Sequence, residues 1–148
     1  MERELLLRQM APCGLDCGRC VRYQEGTVAR AARKLAESLE GFGQAAPRFA
    51  KGMPALERYP EFEAVLGLLA GADCPGCRQA PEKCFPVCAA KDCHSDQGVD
   101  FCAECDEFPC QRNQYPEMFK QRWQEINNRI KEIGAEAYYH EQLRKPRY

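Results

Sequence analysis

The sequence predicts a small, mostly α-helical single domain over residues 1–148, its helices packed around a cysteine-rich irregular region. Three observations predict it. Apolar residues recur at three- and four-residue spacing in the two long stretches without cysteine, 21–73 and 111–148. Leu, Ile, Val and Phe supply only 26 of 148 residues, under the roughly 20% at which an ordinary core becomes comfortable. Eleven cysteines stand in the gap. A thin apolar complement with high net charge would indicate disorder, but 21 Lys and Arg against 22 Asp and Glu leave a net charge of only -1.

Along the chain, Leu5, Leu6 and Leu7 form a short apolar run between Arg3 and Arg8. Thr27 can cap a helix whose Val28, Ala31, Ala32, Leu35, Leu39 and Phe42 share one stripe, with a stop near Gly41 or Gly43. Pro60 with Glu61 and Glu63 can open a second helix carrying Phe62, Val65, Leu66 and Leu69, stopped by Gly71. Residues 74–110 show neither a helical nor an alternating pattern and are rich in turn formers. A loop of that length needs something to organise it. Pro116 can open a third helix with Phe119, Trp123, Ile126, Ile130 and Ile133 on one stripe and Gly134 as its stop. A shorter helix through Tyr138, Tyr139 and Leu143 precedes Pro146.

No segment has a signal-peptide pattern, and the longest apolar run, Val65–Ala72, is interrupted by Gly67 and Gly71. The chain reads as soluble and cytoplasmic, with no membrane partner. In a reducing compartment clustered thiols favour metal over disulfides, and an odd number cannot all pair within one chain.

The cysteines fall in two places, Cys13, Cys17 and Cys20, then Cys74, Cys77, Cys84, Cys88, Cys93, Cys102, Cys105 and Cys110. All eleven are candidate metal ligands, with His94 as a further candidate. Cys74-Pro-Gly-Cys77 and Cys102-Ala-Glu-Cys105 have knuckle spacing, in which a tight turn lets two thiolates reach one ion at about 2.3 Å. Joining the two pairs closes a four-thiolate site, and Cys13, Cys17 and Cys20 offer three more ligands. Eleven cysteines and His94 suffice for three four-coordinate sites, so the expectation is two or three zinc ions, metal-organised loops standing in for missing core. Zinc suits closed thiolate sites because they need no open position and no redox change. Structural zinc contributes on the order of 10 kcal/mol or more per site to folding.

The alternative is an iron–sulfur cluster with a redox or enzymatic role. C-x3-C-x2-C is also the spacing of radical-SAM clusters, but those usually place an aromatic residue before the third cysteine, where this chain has Arg19. They also need a longer strand–helix alternation. Ferredoxin spacing is absent, and no βαβ pattern surrounds the CxxC pairs as redox motifs require.

The remaining chemistry is sparse. The cysteine region is acidic, with Asp92, Asp96, Asp100, Glu104, Asp106 and Glu107. Nucleic-acid binding would need Arg30, Arg33 and Lys34 to share a face with Arg144, Lys145 and Arg147; solvated helix faces are the simpler reading. No Ser–His–Asp arrangement, phosphate loop or dinucleotide fingerprint is visible, and no residue is assigned a catalytic role. The leading expectation is a metal-binding adaptor acting on a protein or small-molecule partner that the sequence does not name.

The phrase Cys13-Gly-Leu-Asp-Cys17-Gly-Arg-Cys20-Val-Arg-Tyr23, with Cys74-Pro-Gly-Cys77, the Cys88/Cys93 pair and Cys102-Ala-Glu-Cys105-Asp-Glu-Phe-Pro-Cys110, resembles one family. That is the prokaryotic cysteine-rich family of unknown function whose members begin with CGLDCxxC and close with a CxxC-x-E-[FY]-P-C element. The likeness runs from about residue 12 to 112. It implies a small cytosolic protein of zinc-binding character, with the signature cysteines as ligands and no established activity.

Overall fold

The computed structural model describes residues Met1–Tyr148. It is small and mostly helical, with seven α-helices, two short 3-10 turns and no β-strand. In chain order the helices are α1 (Arg3–Gln9), α2 (Thr27–Ser38), α3 (Phe42–Ala50), α4 (Tyr59–Ala70), α5 (Ala90–Asp96), α6 (Glu117–Ile133) and α7 (Ala135–Leu143). No helix is long and apolar enough to cross a membrane. The chain forms two compact units, one contiguous (Arg19–Cys74) and one assembled from Met1–Gly18 and Pro75–Tyr148.

In the contiguous unit, α2 packs on α4 and buries Ala29 and Ala32, three positions apart. Thr27 is the first helical residue and Gly26 takes the cap position, so the threonine does not cap. The stripe stops at Gly41, whose φ of +76° lies in the left-handed region. Phe42 then opens α3 instead of ending α2, and its ring is held 5.6 Å from Phe49 and edge-on to Tyr59 at 5.0 Å. The sequence stripe could not separate a last turn of α2 from a first turn of α3. Helix α4 begins with Pro60 in its first turn and ends at Gly71, as its spacing predicts. Arg33 donates to the carbonyl oxygens of Gln24 at 2.7 Å and Ala70 at 3.2 Å, so this cation braces its own unit.

In the assembled unit, α6 and α7 meet at Gly134, where φ is +83°. Trp123, Ile126 and Ile130 are buried, while Phe119 at the start of the same stripe is exposed. Ile126 and Ile130 join Leu6, Met10, Phe101, Tyr138 and Tyr139 in one apolar cluster. Trp123 belongs to a second, with Cys13, Cys88, Cys102, Ala90 and Phe108. Helix α1 has no counterpart in the sequence reading, because one buried leucine, Leu6, gives too short a pattern to show periodicity.

Residues 74–110 are less irregular than their composition predicts. Helix α5 crosses them, and Cys102–Glu104 form a 3-10 turn. Each is fixed by polar side chains distant in sequence. Asn113 Oδ1 accepts from the backbone N–H groups of Ala89 at 2.7 Å and Ala90 at 3.1 Å, capping α5 from outside. Glu104 accepts from the N–H groups of Asp100 and Phe101 at 2.8 and 3.1 Å, and Arg3 bridges Asp100 and Glu104. Arg78 donates to the Leu7 and Asp100 carbonyls and lies over the Phe101 ring, 5.3 Å from its centroid.

Candidate metal centre

Cys13 lies in a turn pressed against α6. Gly14 adopts φ +87°, and a Cβ there would stand 2.4 Å from Ile126 Cγ2. The glycine is therefore what lets the loop backbone reach the helix. Asn127, fully buried on α6, donates from Nδ2 to the Cys13 carbonyl at 2.8 Å and to the Trp123 carbonyl at 2.9 Å. The Cys102 N–H donates to the Pro12 carbonyl at 2.8 Å, tying the 3-10 turn to the same loop. Two cysteine segments remote in sequence thus share one backbone junction.

Around that junction the cysteines sort into two groups. Cys93 on α5, Cys102 and Cys105 at the 3-10 turn, and Cys110 line one cavity of about 20 Å³ with His94, Asn113 and Trp123. A space of that size admits roughly one water-sized body. The other group is Cys13 and Cys88, buried in the Trp123 cluster, with Cys17 and Cys77 packed against it; Cys84 is exposed. Cys17 lies in the same unit, its N–H donating to the Gln9 carbonyl at 2.7 Å. Cys20 and Cys74 belong to the contiguous unit, where Cys74 exchanges backbone hydrogen bonds with Arg22 and Gln24. The cavity brings Cys102 and Cys105 together with Cys93 and Cys110, while Cys74 lies in the contiguous unit. Spacing reports only which thiols share a turn, and the partner of each turn is a tertiary fact. As the side chains stand, no three His, Cys, Asp or Glu groups converge into a formed metal-ligand set.

Electrostatics in both groups oppose bare thiolates. Burial pushes the Cys102 thiol up to about 12, with the Trp123 indole N–H pulling the other way. Burial, and then the fields of Cys84 and Cys88, carry Cys77 to about 11. Cys13 is held well above the usual thiol range and Cys93 is raised, burial leading in each case. Without a cation these residues rest as neutral thiols, and a bound cation would reverse the balance.

Two residues that line the cavity carry buried donors that close no hydrogen bond, the Trp123 indole N–H and the Asn113 amide Nδ2. The Trp123 indole N–H favours the Cys102 thiolate form but closes no hydrogen bond to it. Asn113 spends its Oδ1 on capping α5, which fixes where its NH₂ points. Neither residue drew attention in the sequence as part of a site, since Trp123 read as core and Asn113 carried no signal of its own; no local pattern distinguishes them. His94 Nδ1 lies 3.1 Å from the Ala90 carbonyl.

The family described as Protein of unknown function (DUF3795) matches residues 9–115. The chain belongs to this family. The DUF3795 match takes in every cysteine and ends before α6 begins. No curated protein and no solved structure matches. Trp123 and Asn127, which close over the cysteines of this DUF3795 chain, therefore come from beyond the matched segment.

Proposed function

We propose that this protein binds zinc through its cysteines, with Cys93, Cys102, Cys105 and Cys110 holding one ion, and that it serves as a metal-stabilised binding module. The observation that carries the reading is a pair of buried donors that close no hydrogen bond, Trp123 Nε1 and Asn113 Nδ2, on two residues that line a cavity walled by four cysteines. Buried N–H groups without acceptors are costly, about 1–3 kcal/mol each. Thiolate sulfur is an acceptor they could use, and a divalent cation is what would keep four thiols deprotonated in so buried a place. The donors then complete the outer layer that tunes metal-bound sulfur. The small cavity favours a single ion over a multi-iron cluster. Bound zinc would supply structural cross-linking, because a four-thiolate shell leaves no open position for substrate.

Support for a binding role comes from the contiguous unit, where Phe49, Met53, Phe62, Val65 and Leu68 are exposed. Exposed apolar side chains in this number on one unit suit a protein or small-molecule partner.

The test is elemental analysis with a visible spectrum, on protein purified without oxygen and without a metal-affinity tag. Zinc with no visible absorption is the expected result. Iron with acid-labile sulfide, or no metal at all, overturns the reading.

A further inference from the structure

We propose that a groove in the contiguous unit binds an aliphatic diamine, with Glu57 and Glu63 each taking one ammonium group and Tyr59 beside the chain that joins them. The proposal rests on the binding-module reading and deepens it by naming a ligand class; it does not depend on zinc.

The groove measures about 480 Å³ and lies wholly within Arg19–Cys74. That is room for a small organic molecule. One wall is α3, which contributes Gly43, Ala46 and Ala50, three small residues at helical spacing that leave one face of the helix without bulk. The other wall is a 3-10 turn (Pro54–Arg58) that runs directly into α4 and contributes Leu56, Glu57, Tyr59 and Glu63.

Charge and hydrogen bonding select the ligand. Neither Glu57 nor Glu63 forms an ion pair or a hydrogen bond within the chain, whereas Glu4, Glu132 and Glu141 on other helices are paired. Lys51 is the one cation that lines the groove, so two carboxylates face a single ammonium and the walls are net negative. A buried phenol accompanies them. Tyr59 is only 5% exposed, yet its hydroxyl makes no hydrogen bond within the chain. Its ring is held edge-on to Phe42 at 5.0 Å and lies 5.8 Å from Phe62. Gly43, Tyr59 and Glu63 meet closely, since a Cβ at position 43 would stand 3.4 Å from Glu63 Oε1 and 3.6 Å from Tyr59 Cε1.

An ammonium group at that meeting point can donate to the Glu63 carboxylate and to the Tyr59 oxygen together. Glu57 precedes Glu63 on continuous helical backbone, separated from it by a rise of about 9 Å. A chain of about four or five carbons with an ammonium at each end reaches both carboxylates at hydrogen-bond distance. Its methylenes then cover Ala46, Leu56 and the Tyr59 ring and leave water. A monoamine would leave one carboxylate unanswered, and a dicarboxylate would meet two like charges for one opposite.

The test is calorimetric titration of the full chain with 1,5-diaminopentane, with 1-aminopentane, pentane-1,5-diol and glutarate as comparison ligands. The diamine is expected to bind one to one, about tenfold or more tighter than the monoamine, with no heat from the diol or glutarate. Glu57→Gln and Glu63→Gln should each weaken the diamine about tenfold, and Tyr59→Phe roughly two- to fivefold. Lys51→Ala removes a like charge and should tighten it. Because neither carboxylate contacts the rest of the chain, both Gln variants should keep the wild-type helical spectrum. No diamine binding, equal affinity for diamine and monoamine, binding of glutarate, or indifference to both Gln changes overturns the proposal. Zinc content is measured on the same sample: diamine binding without zinc sinks the metal reading alone, and zinc without diamine binding sinks this one alone.

Discussion

A methyl group at position 14 would stand 2.4 Å from Ile126 Cγ2 and 2.9 Å from Ile130 Cδ1, on a backbone at φ +87°. Both the crowding and the left-handed conformation oppose it, so Gly14→Ala should cost about 2 kcal/mol or more, read as a lower urea midpoint. At Trp123 the ring and its N–H can be separated. Trp123→Phe keeps an aromatic against Phe108, whose centroid lies 4.9 Å away, and removes only the donor facing the cysteines. Zinc affinity by chelator competition should fall roughly 10- to 100-fold with the helical spectrum retained, the usual cost of losing an outer-layer partner. An unchanged affinity would reduce Trp123 to core packing. Both positions were visible in the sequence, Gly14 inside the CGLDC phrase and Trp123 on the α6 stripe, but neither role was. A glycine's reason lies in what it touches, and here that is a helix more than a hundred positions later. Asn113 and Asn127 are harder still, because a polar residue gives no local sign that its side chain will be buried.

At the scale of elements, α2, α4, α6 and α7 were legible because each repeats an apolar face and meets a Pro or Gly boundary. Helices α1, α3 and α5 were not. Each has nine residues or fewer, as α7 also does, and isolated helices of that length are marginal without tertiary contacts; α7 was legible because its aromatic pair lies between Gly134 and Pro146. Helix α5 depends on Asn113 for its cap and buries only Ala90, so its existence is decided elsewhere in the chain. Helix α7 offers a pH test. Lys145 and Arg129 hold the Glu141 carboxyl below the usual glutamate range, the hydrogen bond to Lys145 leading. A depressed folded-state value gives stability that is present above the unfolded value and lost as pH falls through the folded one. Glu141→Gln should therefore be less stable than wild type at neutral pH, with the gap closing in acid. The measurement is urea unfolding of both proteins from pH 7 to pH 3. Because the carboxyl is partly open to solvent, its side chain 28% exposed, the gap should be small, and it should shrink in high salt.

For the whole molecule, the low count of large aliphatic residues was the most informative number in the sequence, and the cysteine-lined cluster around Trp123 stands where more apolar side chains would be expected. The division of the chain into units was not legible, since no linker composition marks Gly18 or Pro75. If metal sustains the cysteine region, chelation should act unevenly. Amide hydrogen exchange after zinc removal is expected to accelerate through residues 75–110 while α2 and α4 keep their protection. Uniform acceleration, or none, would contradict a local metal role. The interrupted unit also sets a timetable for biosynthesis. Arg19–Cys74 can close on itself as soon as it has been made, but the Cys13 carbonyl waits 114 positions for Asn127. At ordinary translation speeds that is an interval of roughly ten seconds. Over that interval Cys13 and the other cysteines of the interrupted unit are made before α6 can pack on them, so the nascent chain must pass through a stage of open thiols that any oxidant or competing metal could claim first.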